Sequence, residues 1–312
     1  MWDPPIDSEI HVVSKPDIAK LGIWCPLENY SFDDIATFGQ QAEKLGYGAI
    51  WVPEAVGRDP FVTLSALALA TEEIHLATGI ANLYARDAMA MKAARNSIDE
   101  LSGGRLILGI GVSHGDLVSG IRQHEYGKPL TTMRNYLERM EEALYLGPQP
   151  AKQGYLVLAA LREKMLGLAG SKADGAHPYF VTPDHTARAR EILGPENFLA
   201  PEQKVLLETD PQKARAVSRK AMSMYLALPN YRNNLLTLGF TEADFEDGGS
   251  DRLVDAIVAW GDEAAITQRL EEHWNNGADH VCIQPLRPDG ELGFDPAAIE
   301  AFAPATNTAM AG

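Results

Sequence analysis

The stretch IHLATGIANLYARDAMAMKAARNSIDELSGGRLILGIGVSHGD, residues 74–116, contains the pattern that decides the fold. Its short apolar runs, Ile74–Ile80 and Leu106–Ile110, are typical of buried strands. Between them, Ala88–Leu101 is predicted to be helical and Gly103-Gly104 is typical of a turn. A strand, a helix, a turn and a second strand in this order predict a βα unit and a parallel sheet.

The same alternation continues on both sides of this stretch. Six further apolar runs are predicted to be strands: Leu21–Cys25, Ala49–Val52, Tyr155–Ala160, Gly175–Val181, Lys204–Glu208 and His280–Gln284. Helices are predicted to lie between the strands: 31–45, 60–70, 131–146, 162–169, 184–193, 211–227, 251–260 and 263–275. Eight strands, each followed by helix, predict an α/β fold of the closed (β/α)8 TIM barrel class. The alternative is an open doubly wound sheet, but Pro26-Leu27-Glu28 follows the first strand instead of a G-x-G-x-x-G turn.

We expect a single barrel domain over residues 21–312, preceded by an N-terminal arm, residues 1–20, that is polar and contains proline. The stretch 211–260 is longer than one crossover connection requires. It is therefore predicted to be a helical insertion over the C-terminal face of the barrel. The irregular segment Val112–Pro129 is expected to help roof the same face.

The chain is acidic, with 27 lysine and arginine residues against 43 aspartate and glutamate residues, a net charge of −16 over 312 residues. This charge argues against nucleic acid and anionic membranes as partners, because both require a basic face. No apolar run of about 18 residues and no signal-peptide pattern is present, so a cytoplasmic location is expected. The spacing of potential ligands predicts no metal site. Cys25 and Cys282 lie in apolar strands and are predicted to be buried free thiols.

In a (β/α)8 barrel, the carboxyl ends of the strands and the loops that follow them carry the active site. Glu54 ends the second strand, where a carboxylate could contact a cofactor ring or orient a base; the alternative is a salt bridge to a neighbour such as Arg58. His114 directly follows the fourth strand, and histidine is the commonest general acid or base near neutral pH. We therefore predict that His114 and Glu54 are catalytic.

The other histidines are interpreted differently. His75 lies near the start of the third strand and is predicted to be structural. Three others lie on polar segments and are predicted to be solvated: His124, His185 and His273. His177 lies near the end of the sixth strand and is predicted, together with Trp24, to line the substrate pocket.

An anion site is predicted where the fifth strand runs directly into a helix, in the sequence LAALREKML, residues 158–166. Backbone N–H groups at a helix start can bind an anion, and Arg162 and Lys164 add positive charge. The alternative is an ordinary helix start with a basic surface. We favour a phosphate or carboxylate site.

Several segments taken together resemble the bacterial luciferase-like monooxygenase superfamily, and within it the branch that uses the deazaflavin coenzyme F420. They are, in chain order, LGIW, GYGAIWVPEA, the stretch 74–116, AALREKMLGLAGSKADGAHPY and GADHVCIQ, and they extend from about Leu21 to Pro285. The resemblance implies a (β/α)8 barrel that binds a flavin-type ring at the strand carboxyl ends. It also implies a homodimer formed through the helices after the second and third strands. Met89 and Met91 near that surface are compatible with an interface, but methionine at helical spacing is more often part of the core.

The resemblance further implies a bulge in the third strand, where a non-prolyl cis peptide lies against the back of the ring. The matching step in this chain is Gly79-Ile80. The cofactor phosphate is implied to lie against the backbone after the fifth strand. The cofactor-binding residues predicted in this way are Glu54, Gly79, Ile80, Ala81, Gly111, Val112, Ser113, Ala160, Leu161, Arg162 and Lys164.

Two departures from the family pattern bear on function. Many relatives have glycine where this chain has Arg162-Glu163. The sugar-phosphate dehydrogenases of this branch have an acidic residue and then a catalytic histidine after the second strand, whereas here Ala55 follows Glu54. The acidic residue of their fourth strand falls at His114 in this chain. Their mechanism is therefore not expected, and His114 becomes the candidate acid or base.

The resulting expectation is a coenzyme F420-dependent oxidoreductase that transfers hydride between cofactor C5 and a small organic substrate. The substrate would be an alcohol, a carbonyl compound or an activated alkene. Deazaflavins react poorly with oxygen, which favours a dehydrogenase or reductase. Two alternatives remain: an FMN-dependent luciferase-like monooxygenase, and a flavin-binding barrel without turnover, since Ala55 leaves no complete acid/base pair in the sequence.

Overall fold

The computed structural model describes residues 15–306. The strands are β1 (Leu21–Trp24), β2 (Ala49–Val52), β3 (His75–Thr78), β4 (Ala81–Asn82), β5 (Leu106–Gly111), β6 (Tyr155–Leu158), β7 (Gly175–Ala176), β8 (Phe198–Leu199), β9 (Glu202–Leu207), β10 (Val258–Gly261) and β11 (Val281–Pro285). The α-helices are α1 (Phe32–Lys44), α2 (Pro60–Ala70), α3 (Ala88–Ser102), α4 (Pro129–Glu142), α5 (Glu163–Lys172), α6 (Pro183–Leu193), α7 (Pro211–Leu226), α8 (Pro229–Leu236), α9 (Asp251–Ile257), α10 (Glu263–Asn275) and α11 (Pro296–Ala301). A π-helix (Asp116–Ile121) and a 3-10 helix (Glu242–Gly248) complete the regular structure of the described residues.

The described strands form one parallel sheet in the order β10-β9-β11-β1-β2-β3-β5-β6-β7-β8, with β4 beside β5. The sheet closes because β8 and β9 are two halves of one extended segment. β8 pairs with β7 and β9 pairs with β11. Backbone hydrogen bonds from Asp279 to Leu199 (2.9 Å) and from Cys282 to Pro201 (3.0 Å) join the remaining edges. The predicted (β/α)8 TIM barrel is therefore confirmed.

Differences from the prediction lie at strand ends and in the insertion. The sixth strand covers only Gly175–Ala176, and the seventh is split in two. The segment Asp251–Trp260, predicted as one helix, is helical only to Ile257 and then continues as β10 beside β9. A β-branched residue and an aromatic residue in VAWG favour this strand. Helices α8 and α11 were not predicted.

Helix α1 shows how local sequence fixes an element against the barrel. Ser31 Oγ accepts a hydrogen bond from the Asp34 N–H (3.1 Å), and the Asp34 carboxylate accepts from the Ser31 N–H (3.2 Å). This capping box satisfies N–H groups that the helix itself cannot bond. Ile35, Phe38 and Ala42 are buried on one face, as their spacing predicted.

Aromatic and small apolar side chains fill the barrel interior. Trp51 stacks on His177 with ring centroids 4.3 Å apart, and its indole N–H donates to His280 Nε2 (3.2 Å). The same interior cluster contains Trp24, Ala49, Ala77, Ile107, Val157, Phe198, Ala200 and Cys282. The interior is therefore packed, as in other barrels of this class. Cys25 and Cys282 are buried and free, as predicted.

The insertion covers the C-terminal face, as predicted. Side chains from α7, α8 and α9 form a second apolar core with Phe180, Leu206 and Leu286. These three residues lie at the carboxyl ends of β7, β9 and β11. The insertion is thus anchored directly above the strand ends where a barrel active site is expected.

Residues 1–14 of the predicted N-terminal arm lie outside the described residues, and the division into arm and single domain stays a prediction. Within residues 15–306, no helix is long and apolar enough to cross a membrane. The same part of the chain contains no group of three or more His, Cys, Asp or Glu side chains arranged to hold a metal ion.

Two histidines predicted to be solvated are buried, so that prediction was wrong for them. His185 Nε2 donates to the Leu161 carbonyl (2.6 Å). His273 lies between Thr186 Oγ1 (2.7 Å) and Gln203 Oε1 (3.0 Å). Both imidazoles form hydrogen bonds between a helix and a neighbouring element. Their burial depends on this tertiary packing, so it cannot be predicted from the polar local sequence. The third, His124, is exposed as predicted.

The buried histidines predict how stability depends on pH. Burial lowers the pKa of His177, His185 and His280 to about 4, and that of His273 to about 3. Unfolded histidines titrate near 6.5, so below that pH the unfolded state binds more protons than the folded state. The free energy of unfolding should therefore fall as pH decreases from 6.5 towards 4, by up to about 1.4 kcal/mol per pH unit for each histidine. Urea unfolding at a series of pH values measures this slope.

Two variants distinguish the contribution of the buried histidines from other effects of low pH on stability. His273→Asn removes one buried imidazole and should reduce the slope by about one histidine's share. His124→Asn removes an exposed imidazole and should leave the slope unchanged. An unaltered slope in His273→Asn would contradict the assignment.

Candidate active site

A bulge interrupts the third strand at the carboxyl end of the barrel. β3 ends at Thr78, the Gly79-Ile80 peptide bond is cis, and the strand resumes at Ala81–Asn82. The Thr78 hydroxyl donates to the Gly109 carbonyl (2.6 Å) and accepts from the Gly109 N–H (2.9 Å). The cis bond expected at this step is therefore present.

Hydrogen bonds from the first two strands and the loop after them hold the bulge on both sides. The Trp24 indole N–H donates to the Gly79 carbonyl (2.8 Å), and the Gly79 N–H donates to the Val52 carbonyl (2.9 Å). Beyond the cis bond, the Asn82 N–H donates to Glu54 Oε2 (2.7 Å). The peptide between these anchors consequently has a fixed position at the barrel rim.

The Glu54 carboxylate is bound by a cation. Arg86 donates to both of its oxygens, at 2.7 and 2.8 Å, and the Glu54 side chain is only 6% exposed. Glu54 therefore forms the salt bridge that was considered as an alternative to a catalytic role, but its partner is Arg86 and not Arg58. Among the described residues, no hydrogen bond joins Glu54 to His114. The geometry gives Glu54 a positioning role on Asn82, and its catalytic role stays a prediction.

Small residues flank the bulge. A Cβ atom at Gly111 would lie 2.7 Å from Ile80 Cδ1 and 3.1 Å from Ala159 Cβ, so only glycine leaves the Ile80 side chain undisturbed. Ile80, Val112 and Ser113 are partly exposed at this edge. The structure therefore brings together the ring-binding residues predicted on the third and fourth strands.

His114 lies against the insertion. Its ring centroid is 5.4 Å from that of Tyr231 in α8. Burial lowers the pKa of His114, and the nearby Asn230 side chain and the charge of Asp116 oppose this shift. The imidazole is therefore neutral near pH 7 and able to accept a proton.

His177 lies inside the barrel below the bulge. Its ring is 1% exposed, and its Nδ1 donates to the Ala200 carbonyl (2.7 Å). Its Nε2 has no hydrogen-bond partner among the described residues, and a Cβ at Gly79 would lie 3.1 Å from it. Trp24 also borders Gly79. The two residues predicted to line the substrate pocket thus lie together beneath the bulge.

The loop after β6 carries exposed cations at the start of α5. Arg162 is the N-cap residue, and its carbonyl accepts from the N–H groups of Met165 and Leu166 (3.0 Å each). The first N–H groups of the helix have no intrahelical acceptor. The side chains of Arg162 and Lys164 are exposed. These features are what the predicted anion site requires, and the site itself stays a prediction.

Sequence reasoning missed a buried cluster around Lys204. Its Nζ lies 3.2 Å from Glu202 Oε1 and 4.1 Å from the centroid of the Tyr179 ring. The Tyr179 hydroxyl is hydrogen-bonded to Gln284 Oε1 and to the Tyr225 hydroxyl, both at 2.8 Å. Burial lowers the pKa of Lys204 and raises that of Glu202. The sequence EQKVLLE, residues 202–208, did contain a signal: Glu202 and Lys204 have opposite charges and are two positions apart, so they lie on one face of a strand. The run KVLLE was interpreted only as a strand.

Aromatic side chains connect Lys204 with the bulge and with His114. Tyr179 lies 5.2 Å from Trp24 and 6.2 Å from Tyr231, measured between ring centroids. Tyr231 in turn contacts His114. We call the following residues the aromatic cluster: Trp24, Tyr179, Phe180, Tyr225 and Tyr231.

A family model described as luciferase-like monooxygenase matches residues 19–280. The chain belongs to this family. The match includes all the barrel strands before β11, the bulge and the insertion. The resemblance inferred from the sequence is thereby confirmed at the level of the family.

Curated relatives carry names from the deazaflavin branch. A protein of Mycobacterium tuberculosis, provisionally named a coenzyme F420-dependent oxidoreductase, is 34% identical over 121 residues, or 38% of this chain and 33% of its own length. The chain thus spans about a third of that relative. A 5,10-methylenetetrahydromethanopterin reductase of Archaeoglobus fulgidus is 26% identical over 297 residues, covering 80% of this chain and 88% of the reductase.

Solved structures with similar folds bind either type of cofactor. The coenzyme F420-dependent tetrahydromethanopterin reductase of Methanopyrus kandleri aligns with a TM-score of 0.70 at 18% identity, over 92% of this chain and 97% of its own. An F420-dependent secondary alcohol dehydrogenase with an F420–acetone adduct aligns with a TM-score of 0.72 at 14% identity, over 94% and 99%. A Pseudomonas putida 3,6-diketocamphane monooxygenase with FMN aligns with a TM-score of 0.66 at 18% identity, over 91% and 96%. At these identities the likeness concerns the fold.

The role of Glu54 in holding the bulge leads to a stability prediction. Glu54→Gln removes the charge opposite the largely buried Arg86, and breaking such a pair typically costs about 3–5 kcal/mol. Because Arg86 also pairs with Asp59 (3.0 Å), we expect the free energy of unfolding to fall by about 2–3 kcal/mol. Urea unfolding followed by circular dichroism measures the loss.

The matched control is Glu291→Gln, which breaks the exposed pair with Lys220. Exposed pairs contribute about 0–1 kcal/mol. Equal losses in the two variants would show that Glu54 does not anchor the bulge.

Proposed function

We propose that this protein is a deazaflavin-dependent oxidoreductase, in which hydride passes between C5 of coenzyme F420 and a small organic substrate. The observation that carries the proposal is the anchored bulge at Gly79-Ile80, because a fixed rim peptide beside partly exposed apolar side chains is a support for a flat ring. The names of the curated relatives support the same cofactor class. The substrate would be an alcohol, a carbonyl compound or an activated alkene.

The residues at the rim fit a flavin-type ring with a phosphate on its side chain. Ile80 and Val112 offer apolar surface to a ring face. Asn82 Nδ2 is buried and has no acceptor among the described residues, so a polar ring edge could supply one. Arg162 and Lys164, beside the unbonded N–H groups of α5, would hold the phosphate.

Within this proposal, the chain contributes placement and proton transfer. When bound, the deazaflavin supplies a hydride acceptor and donor. The bulge would support the ring, because Glu54 fixes Asn82 and Trp24 fixes Gly79. Neutral His114 would accept the hydroxyl proton of an alcohol in the oxidative direction and return it to a carbonyl oxygen in the reductive direction.

A second candidate is an FMN-dependent monooxygenase, favoured by the FMN complex among the similar structures. Both cofactors carry a phosphate, so the rim residues do not separate them. Titrating the purified protein with each cofactor, followed by its absorbance and fluorescence, decides between them. We expect tighter binding of coenzyme F420, and tighter binding of FMN would overturn the proposal.

The role of His114 can be tested once a substrate has been found by a cofactor-reduction screen over alcohols and ketones. His114→Asn should lower kcat by about 10²–10⁴-fold, the range for a lost general acid or base. The dissociation constant of the cofactor should change little, because the loss concerns proton transfer. Stopped-flow kinetics and a cofactor titration measure the two effects.

The pH profile adds a second readout to the same experiment. Because burial lowers the pKa of His114, alcohol oxidation by the wild type should stay near its maximum from pH 7 to below 6.5 and then decline. His124→Asn, in the exposed part of the same segment, is the matched control. Unchanged turnover in His114→Asn would remove His114 from the mechanism.

We also propose a homodimer through α2 and α3, in keeping with the expectation from the family. The exposed apolar residues on these helices include Val62, Leu69, Met89 and Leu101. Met91, also suggested as an interface residue, is buried in the core. Leu69→Glu should convert a dimer to a monomer in light scattering, whereas Leu146→Glu, on an exposed loop elsewhere, should not. A wild-type monomer would overturn this proposal.

A further inference from the structure

The barrel interior contains a fully buried ion pair. Of the ion pairs among residues 15–306, Lys204–Glu202 is the one with both side chains 1% exposed. The two residues are two positions apart in β9, so their side chains lie on the same face of the strand. The second Glu202 oxygen accepts from the Phe180 N–H (3.2 Å). The carboxylate is therefore held in place while it binds the ammonium group.

Three aromatic rings also lie near the ammonium group of Lys204. Its Nζ lies 4.1 Å from the Tyr179 centroid, 4.8 Å from that of Tyr225 and 5.2 Å from that of Phe180. Ring faces carry partial negative charge and attract a cation. The positive charge of Lys204 is thus offset by the Glu202 carboxylate and by three aromatic rings.

This pair lies one layer of rings behind the proposed reaction site. Tyr179 separates Lys204 from Trp24, which is bonded to the bulge. Tyr231 extends the same layer to His114. A substrate placed between the bulge and His114 would therefore meet ring faces on this side.

We propose that the substrate site takes an uncharged ring compound with one carbonyl or hydroxyl group, and that Glu202 excludes anionic ligands by retaining Lys204 in an internal ion pair. The proposal rests on the site described under Proposed function. An anion approaching Lys204 would meet the Glu202 carboxylate and the negative ring faces, and the net charge of −16 adds long-range repulsion. A neutral ring can stack on the aromatic cluster.

The test uses benzamide and benzoate, two probes of the same shape that differ by one charge. Isothermal titration calorimetry of the full chain without added cofactor measures both affinities at constant ionic strength. The wild type should bind benzamide at least tenfold more tightly than benzoate. In Glu202→Gln, titrated at mildly acidic pH so that the unpaired buried amine of Lys204 stays protonated, the affinity for benzoate should increase at least tenfold over that of the wild type at the same pH.

The double variant Glu202→Gln/Lys204→Met is the control, because it removes both charges and buried pairs commonly tolerate such replacement. It should bind benzoate weakly again. Three results would overturn the proposal: benzoate binding to the wild type as tightly as benzamide, neither probe binding, or no gain for benzoate in folded Glu202→Gln.

The wild-type comparison is decisive even where a variant does not fold. Because no deazaflavin is present, these results concern the ligand site alone. A failed cofactor titration would count against the proposed function and would leave the probe affinities standing.

Discussion

The hydrogen bond from the Trp24 indole to the Gly79 carbonyl connects the parts of the site. Because the acceptor is the Gly79 carbonyl, this hydrogen bond fixes the peptide plane that begins the bulge. Through its ring, Trp24 contacts Tyr179, which bonds Tyr225 in the insertion. The position of the bulge and the position of the insertion above the barrel are therefore linked through one side chain on β1.

The barrel could be predicted because its strands are short, apolar and buried on both faces, and because amphipathic helices separate them. The stretch 74–116 shows this for two strands and one helix. The split of the seventh strand could not be predicted in this way. Its cause is the closure of the barrel, where Leu199 and Pro201 accept from residues before and within β11. Such pairing is decided by distant residues, and local periodicity does not contain it.

The candidate site was partly predictable for a related reason. The strand-end rule selected Glu54 and His114, and the family resemblance selected the Gly79-Ile80 step. The partners of these residues come from elsewhere: Arg86 comes from the loop after β4 and contacts Glu54, and Tyr231 comes from the insertion and contacts His114. Buried imidazoles such as His185 were interpreted as solvated because burial follows from helix packing. Lys204 was missed because the run KVLLE was interpreted only as a strand, and the partner Glu202 lies outside that run.

The arrangement of charge in the described site explains how an acidic chain could serve an anionic cofactor. Inside, each charge is offset: Arg86 binds Glu54, and Glu202 binds Lys204. At the rim, Arg162 and Lys164 remain exposed beside the free end of α5. In the proposed function, a neutral interior would favour the uncharged reacting ring, and the local cationic edge would favour the phosphate of the same ligand. The total charge of −16 acts at long range and is screened beyond about 10 Å. In the proposed anion site, Arg162 and Lys164 would act on the phosphate at contact distance and would therefore outweigh this long-range repulsion.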